Sequence, residues 1–167
     1  MRTVTLRAIE PEDLEVLYQI ENDSQEWALG CSNVPYSRYV LHEYIANQSC
    51  DIYADKQVRL MVVNEDKVPV GIVDLVNFDP KNRRAELGMI IMRQYRHQGY
   101  GKLALNEICR YALTTLHLKQ IYLYVDTNNM ECVNLFENHC NLMPVRLKDW
   151  LYDGREYQDA LLFQIIL

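Results

Sequence analysis

The sequence is poor in chain-breaking residues: 167 positions carry only six Gly and five Pro. That excludes a collagenous or low-complexity chain and leaves little material for a linker, so one domain over residues 1–167 is expected. No apolar run approaches the ~18 residues of a membrane-spanning helix. The opening Met1-Arg2-Thr3-Val4-Thr5-Leu6 has no apolar stretch of secretory-leader length. A cytoplasmic protein with no membrane partner is therefore expected. Surplus positive charge is also missing, with 17 Lys+Arg against 23 Asp+Glu and a net charge of −6. Phosphate neutralisation needs the opposite balance, which argues against a nucleic-acid partner and is compatible with a cationic one. The five cysteines, Cys31, Cys50, Cys109, Cys132 and Cys140, form no C-x-x-C pair and fit no zinc spacing. They read as reduced thiols, and no metal is expected.

What is present is a globular mixture, 49% hydrophobic and 24% charged, which excludes a disordered chain. Alternating Val4, Leu6 and Ala8 predict a strand. Pro11-Glu12-Asp13 is a helix-start signal ahead of Leu14, Leu17 and Tyr18 on one helical face. Ser37 is a candidate N-cap for a second helix carrying Val40, Leu41, Tyr44 and Ile45. Val58 to Val63 and Val68 to Val76 read as strands around a polar turn, Asn64-Glu65-Asp66-Lys67. Ala85 to Met92 is a more continuously apolar strand, and so a more buried one. A helix with Leu103, Ala104, Ile108, Tyr111 and Ala112 follows, then a strand from Ile121 to Val125 and a helix from Met130 to about Asn138. Two strands, around Val145 to Tyr152 and Tyr157 to Ile166, close the chain. This order suits a mixed α/β or α+β sheet with helices on both faces.

The segment Arg96-His97-Gln98-Gly99-Tyr100-Gly101-Lys102 carries the chemistry. It joins a buried strand to an amphipathic helix. Glycine admits positive φ and close approach of the backbone. The first N–H groups of the helix lack intrahelical partners, and the helix dipole adds positive potential. With Arg96 and Lys102 beside them, these groups suit a phosphate or pyrophosphate. Gly99-x-Gly101-x-x-Ala104 also matches the dinucleotide pattern, with Asp126 ending the next strand. Against that reading, Arg93 to Gln98 separate the strand from the first glycine, where a dinucleotide turn is tight.

Arg96-x-x-Gly99-x-Gly101 resembles the Q/R-x-x-G-x-G/A pyrophosphate loop of the GNAT acetyltransferase superfamily. Asn129-x-x-Cys132-Val133-x-Leu135-Phe136-Glu137 resembles its N-x-x-A-x-x-L-Y-E segment. Ala85-Glu86 and Tyr152-Asp153-Gly154-Arg155-Glu156-Tyr157 look most like the branch of spermidine and ribosomal-protein N-acetyltransferases. The resemblance implies a mostly antiparallel sheet of six or seven strands with a splayed pair that binds acetyl-CoA. It implies direct attack of a primary amine on the thioester, and a homodimer or higher homo-oligomer. Ile90, Ile91 and Met92 would lie along the cofactor, the loop from Arg96 through His97, Gln98, Gly99, Tyr100 and Gly101 to Lys102 would hold the pyrophosphate, and Asn129 would meet the pantetheine.

An alkylammonium with a pKa near ~10.4 must lose a proton before it attacks. Glu86, in phase with Gly88, Ile90 and Met92, is the candidate base or water relay. The family's usual acid is the Tyr of L-Y-E, where this chain has Phe136, which cannot donate a proton. Tyr124 is the candidate substitute, with Tyr122 and Cys132 also near in sequence. Departure as a thiolate is the other route. Glu21, Trp27 and Tyr36, in the connection between the first two helices, suit a cationic acceptor: a polyamine, another cationic small amine or a protein N-terminus. Phe136 keeps a second reading open, a non-catalytic acetyl-CoA-binding or regulatory module.

Overall fold

The computed structural model of the chain describes residues 2–23, 34–49 and 51–167. Strand β1 (Val4–Arg7) leads through a 3-10 turn at Pro11–Asp13 into α1 (Leu14–Glu21). Helix α2 (Arg38–Ala46) and a single-turn helix α3 (Ile52–Asp55) follow. Then come β2 (Val58–Asn64), β3 (Pro69–Asp79), β4 (Arg84–Ile91), α4 (Tyr100–Thr114), β5 (Gln120–Asp126), α5 (Met130–Asn134), β6 (Val145–Tyr152) and β7 (Tyr157–Ile166).

Local chemistry explains the starts of these elements. Asp13 accepts from the Glu10 N–H at 2.8 Å and takes both guanidinium nitrogens of Arg7, at 2.6 and 2.8 Å. The Arg7 hydrogen bonds hold the buried Asp13 carboxyl below its ordinary range. They also lock the end of β1 to the start of α1. Ser37 caps α2 as the sequence predicts, accepting from the Val40 N–H at 3.2 Å. Helix α3 was not expected. It forms because Asp51 accepts from the Tyr53 N–H at 2.8 Å, and it stops at Lys56, in the left-handed region with φ 56°.

The seven strands form one sheet in the order β1-β2-β3-β4-β5-β7-β6. Every neighbouring pair is antiparallel except β4 with β5. That parallel step needs a crossover, and α4 supplies it. Helices α4 and α5 pack on one face of the sheet, where Leu105, Ile108 and Phe136 meet Leu87, Ile121 and Phe163. The opposite face of β2 to β4 is closed by the first two helices, with Ile20 and Ile45 against Met61, Ile72 and Ile90. Each fully buried side chain of this size contributes roughly 1.5–3 kcal/mol. Among the described residues, no helix is long and apolar enough to cross a membrane.

The feature that positions the site is a failure of pairing. β4 and β5 share only the register Arg84–Gln120, Ala85–Ile121 and Glu86–Tyr122. Beyond it, Leu87–Ile91 and Leu123–Asp126 stay paired on their outer edges, to β3 and β7, and diverge from each other. The result is a wedge open toward the C-terminal ends of both strands. This is the splayed pair that the resemblance implies.

Candidate active site

Backbone direction decides what the wedge offers. The Met92 N–H donates to the Val70 carbonyl at 2.9 Å, so Met92 faces β3. Strand groups alternate, and Met89 and Ile91 therefore turn their N–H and C=O groups into the wedge. The Ile91 carbonyl there accepts from Arg96 Nε at 2.9 Å. Side chains divide the other way. Ile91 is buried under α4, whereas Ile90 and Met92 stand on the face shared with α1.

The loop after β4 runs through a 3-10 turn at Arg93–Tyr95 and an extended Arg96. His97, with φ 58°, and Gly99, with φ 89°, then turn it into α4. The first α4 bond runs from the Leu103 N–H to the Gly99 carbonyl, 3.2 Å. The N–H groups before it have no intrahelical acceptor and point out of the helix end. A Cβ at Gly99 would meet nothing within 4 Å, so its backbone conformation alone demands glycine. Gly101 is different: it is helical, and a Cβ there would sit 3.9 Å from Ile91 Cγ1, in ordinary contact. Tyr100 contributes only its backbone, since its ring is buried in the core with Arg2 above it, 5.7 Å from the centroid. Arg2 also donates to the Gln98 carbonyl at 2.6 Å, and Gln98 Nε2 donates to the Gln94 carbonyl at 2.8 Å. These bonds fix the loop from both sides.

Across the wedge mouth stands α5. His97 Nε2 lies 3.2 Å from Glu131 Oε1. Burial and then Glu131 push the Cys132 thiol up, with Arg96 opposing. Burial pushes Cys140 up, with Lys102 opposing. Arg96 and Lys102 thus lie close enough to these thiols to oppose the upward shifts. Asn129 caps α5, accepting from the Cys132 N–H at 3.2 Å through Oδ1. Its Nδ2 is the atom left to reach a ligand. Phe136 is 1% exposed and packs on Phe163 with ring centroids 5.3 Å apart. It sits where α5 widens into a π-turn, Leu135–His139, closed by the Cys140 N–H on the Leu135 carbonyl at 3.2 Å. Such turns concentrate at functional sites.

The other face carries side-chain chemistry. Glu86, Gly88, Ile90 and Met92 share it, opposite Val76, Asp74 and Ile72 of β3. Asn77 Nδ2 donates to Glu86 Oε2 at 2.8 Å. It can do so because β3 is irregular between Val76 and Asp79, with Asn77 at φ 52°. A bulge beside a site re-aims a side chain in this way. Tyr122 and Tyr124 stand on the same face, opposite to the side that holds Phe136. Burial first, and then Glu86, push the Tyr122 phenol up, so it stays protonated at neutral pH.

Glu21 is drawn into a network the sequence did not reveal. Arg59 pairs with Asp74 at 2.6 and 3.0 Å and with Glu21 in a shorter contact. Burial works against the Arg59 charge, but Asp74 and Glu21 outweigh it and raise its pKa. Asp74 in turn stands over Gly88, where an added Cβ would lie 3.4 Å from Asp74 Cβ. Asn22 clamps Tyr36 with two bonds, at 2.8 and 3.0 Å, so Tyr36 anchors the return of the connection toward α2. Trp27 lies outside the described residues. A cavity of about 190 Å³ lies between the end of α1 and the loop after β4, lined by Ile20, Asp23, Ile90, Met92, Arg93 and Arg96. The described residues contain no cluster of His, Cys, Asp or Glu able to hold a metal.

A family model of the acetyltransferase (GNAT) domain matches residues 3–139. The chain is 30% identical over 163 residues to the spermidine N(1)-acetyltransferase of Escherichia coli K12, covering 95% of this chain and 83% of that protein. It is 27% identical over 157 residues to the spermidine N(1)-acetyltransferase of Vibrio cholerae, covering 94% and 89%. A crystal structure of spermidine N-acetyltransferase from Vibrio cholerae in complex with CoA and spermine superposes with a TM-score of 0.84. Identity there is 27%, over 98% of this chain and 95% of that one.

Proposed function

The chain belongs to the GNAT acetyltransferase family, and from that premise we propose that it acetylates a primary amine of a polyamine such as spermidine or spermine. One observation carries the reading: the β4–β5 wedge ends in a glycine-turned helix N-terminus on one side and opens on a carboxylate-bearing face on the other. The acetyl donor is acetyl-CoA, which supplies a thioester whose carbonyl carbon is open to an amine.

The N–H groups ahead of Leu103, with Arg96 and Lys102, hold the pyrophosphate. Met89 and Ile91 offer backbone groups to the pantetheine, and Asn129 offers Nδ2. An N–H of β4 in the wedge is the donor for the charge that develops on the carbonyl oxygen. Glu86 takes the proton that the ammonium must lose, directly or through water. The N–C bond forms, the C–S bond breaks, and the sulfur leaves as the thiolate or takes a proton from Tyr124, Tyr122 or Cys132. Glu21 and Tyr36, with Trp27 in the same connection, favour a cationic acceptor from the side of α1 and α2. The whole chain acts as one acetyltransferase domain. Three free thiols among the described cysteines support a cytoplasmic setting.

The test has two parts. CoA raises the melting temperature, because ligand binding to the folded state stabilises it. Thiol release measured with acetyl-CoA and an amine panel then rises with spermidine and spermine. A panel in which only neutral or anionic acceptors react overturns the polyamine reading.

A further inference from the structure

The face that carries Glu86 changes character at β5. Over β2 to β4 the first two helices close it, whereas over β5, β7 and β6 no described helix packs on it. An aromatic row stands on that open stretch. Tyr122 and Tyr124 meet edge to face, with centroids 5.9 Å apart at 81°. Trp150 of β6 stacks on Tyr124 at 5.6 Å and 27°, and keeps 53% of its surface exposed. Carboxylates bound the row. At one end is Glu86, the register partner of Tyr122, with Oε2 held by Asn77 and Oε1 without a partner among the described residues. At the other is Asp126, two residues beyond Tyr124 on the same face, whose Oδ1 accepts from the Asn128 N–H at 2.8 Å. At ~3.3 Å per residue, Tyr122 and Asp126 stand about 13 Å apart along β5. The neighbouring cations are already answered: Arg84 pairs with Asp79 at 3.3 Å and Arg146 with Asp159 at 2.6 Å.

We propose that this row is the subsite for the body of a polyamine acceptor, with Trp150 and Tyr124 as its specificity-determining residues. The inference rests on the polyamine reading above. Ring faces take alkyl segments by apolar contact and ammonium groups by cation–π attraction. Glu86 and Asp126 then take the charges at the two ends, with the reacting amine at the Glu86 end, beside the wedge. The alternation of carboxylate, rings and carboxylate matches a chain of ammonium groups joined by methylenes. A peptide would need a free backbone edge for strand addition, whereas β5 spends its outer edge on β7 and its unpaired inner edge, Leu123–Asp126, faces the wedge assigned to the cofactor.

The test is steady-state kinetics of the full chain with acetyl-CoA and spermine. Trp150→Leu raises the KM for spermine about five- to tenfold and leaves kcat and the KM for acetyl-CoA within about twofold, whereas Trp150→Phe keeps most of the affinity. An unchanged spermine KM in Trp150→Leu overturns the subsite while the polyamine reading stands. So does an equal rise in the acetyl-CoA KM, which marks general damage. If the wild type releases no thiol with any polyamine, the polyamine reading itself fails. The subsite, which rests on that reading, then fails with it.

Discussion

The two sides of the wedge are made of different material. The side we propose for the cofactor is almost all backbone: the helix N-terminus after Gly99 and the inward groups of Met89 and Ile91, with Arg96 adding charge. The side we propose for the acceptor is all side chain, and its groups and their supports come from many strands. Arg59 stands on β2, Asp74 and Asn77 on β3, Glu86 on β4, Tyr122 and Tyr124 on β5, and Trp150 on β6. A backbone site survives most substitutions and is broken by the few that change the chain path. A side-chain site is retuned by single exchanges that leave the path alone. One fold can thus keep its acyl donor while its acceptor varies.

The largest effect expected from this contrast is at Glu86. Glu86→Gln removes the proposed proton acceptor without moving the strand, so kcat is expected to fall by about 10²–10³-fold, the scale of general-base catalysis. The CoA-induced rise in melting temperature stays at its wild-type value. Asn77→Ala frees the carboxylate to wander and reproduces a smaller part of the loss, about tenfold. If either exchange abolished CoA binding, the division between the two sides would collapse.

Gly99→Ala is the converse. Its Cβ has open space, so only the φ of 89° is charged to it. That cost is about 1 kcal/mol or more, which corresponds to a KM for acetyl-CoA raised about five- to tenfold if the loop moves to relieve it. The KM for the amine remains unchanged. Equal changes in both constants would show that the loop and the acceptor face are mechanically coupled.

The same contrast explains what the sequence discloses. Gly99 and Arg96 could be read directly, because a helix N-terminus is contiguous in sequence and its glycine has one conformational reason. The strands and helices were legible for a similar reason, since period and capping are local, as Ser37 shows. The splay of β4 from β5 was legible only through the family likeness. The Arg59 network was not legible, since Glu21 and Arg59 are 38 positions apart and meet only through α1 packing on β2. The bulge that turns Asn77 onto Glu86 has no glycine to announce it. Tyr124 stands out in the sequence as a possible acid, but its partner Trp150 comes from a strand two places away in the sheet. Helix α3 is not legible because one Asp cap over four residues leaves no period to read.

Phe136 carries the smallest effect and sharpens the comparison most, because it is a fully buried side chain on the side assigned mostly to backbone. Its ring is fully buried against Phe163, so the hydroxyl of Phe136→Tyr enters the core. An unpartnered buried hydroxyl costs about 1–3 kcal/mol, at about 2–4 °C per kcal/mol for a chain of this size, so the free variant melts lower. If position 136 faces the sulfur, the bound thioester gives that hydroxyl a partner, and CoA raises the variant's melting temperature more than the wild type's. A tyrosine stays protonated below pH ~10, whereas a thiol of pKa ~8.5 is already a tolerable leaving group. The gain in kcat is therefore only about three- to tenfold near pH 7, below the usual return from a general acid. It fades above pH ~9, where the thiolate no longer needs a proton. A rate equal to wild type at every pH would mean that thiolate departure is not limiting, and that the chain needs no acid at this position.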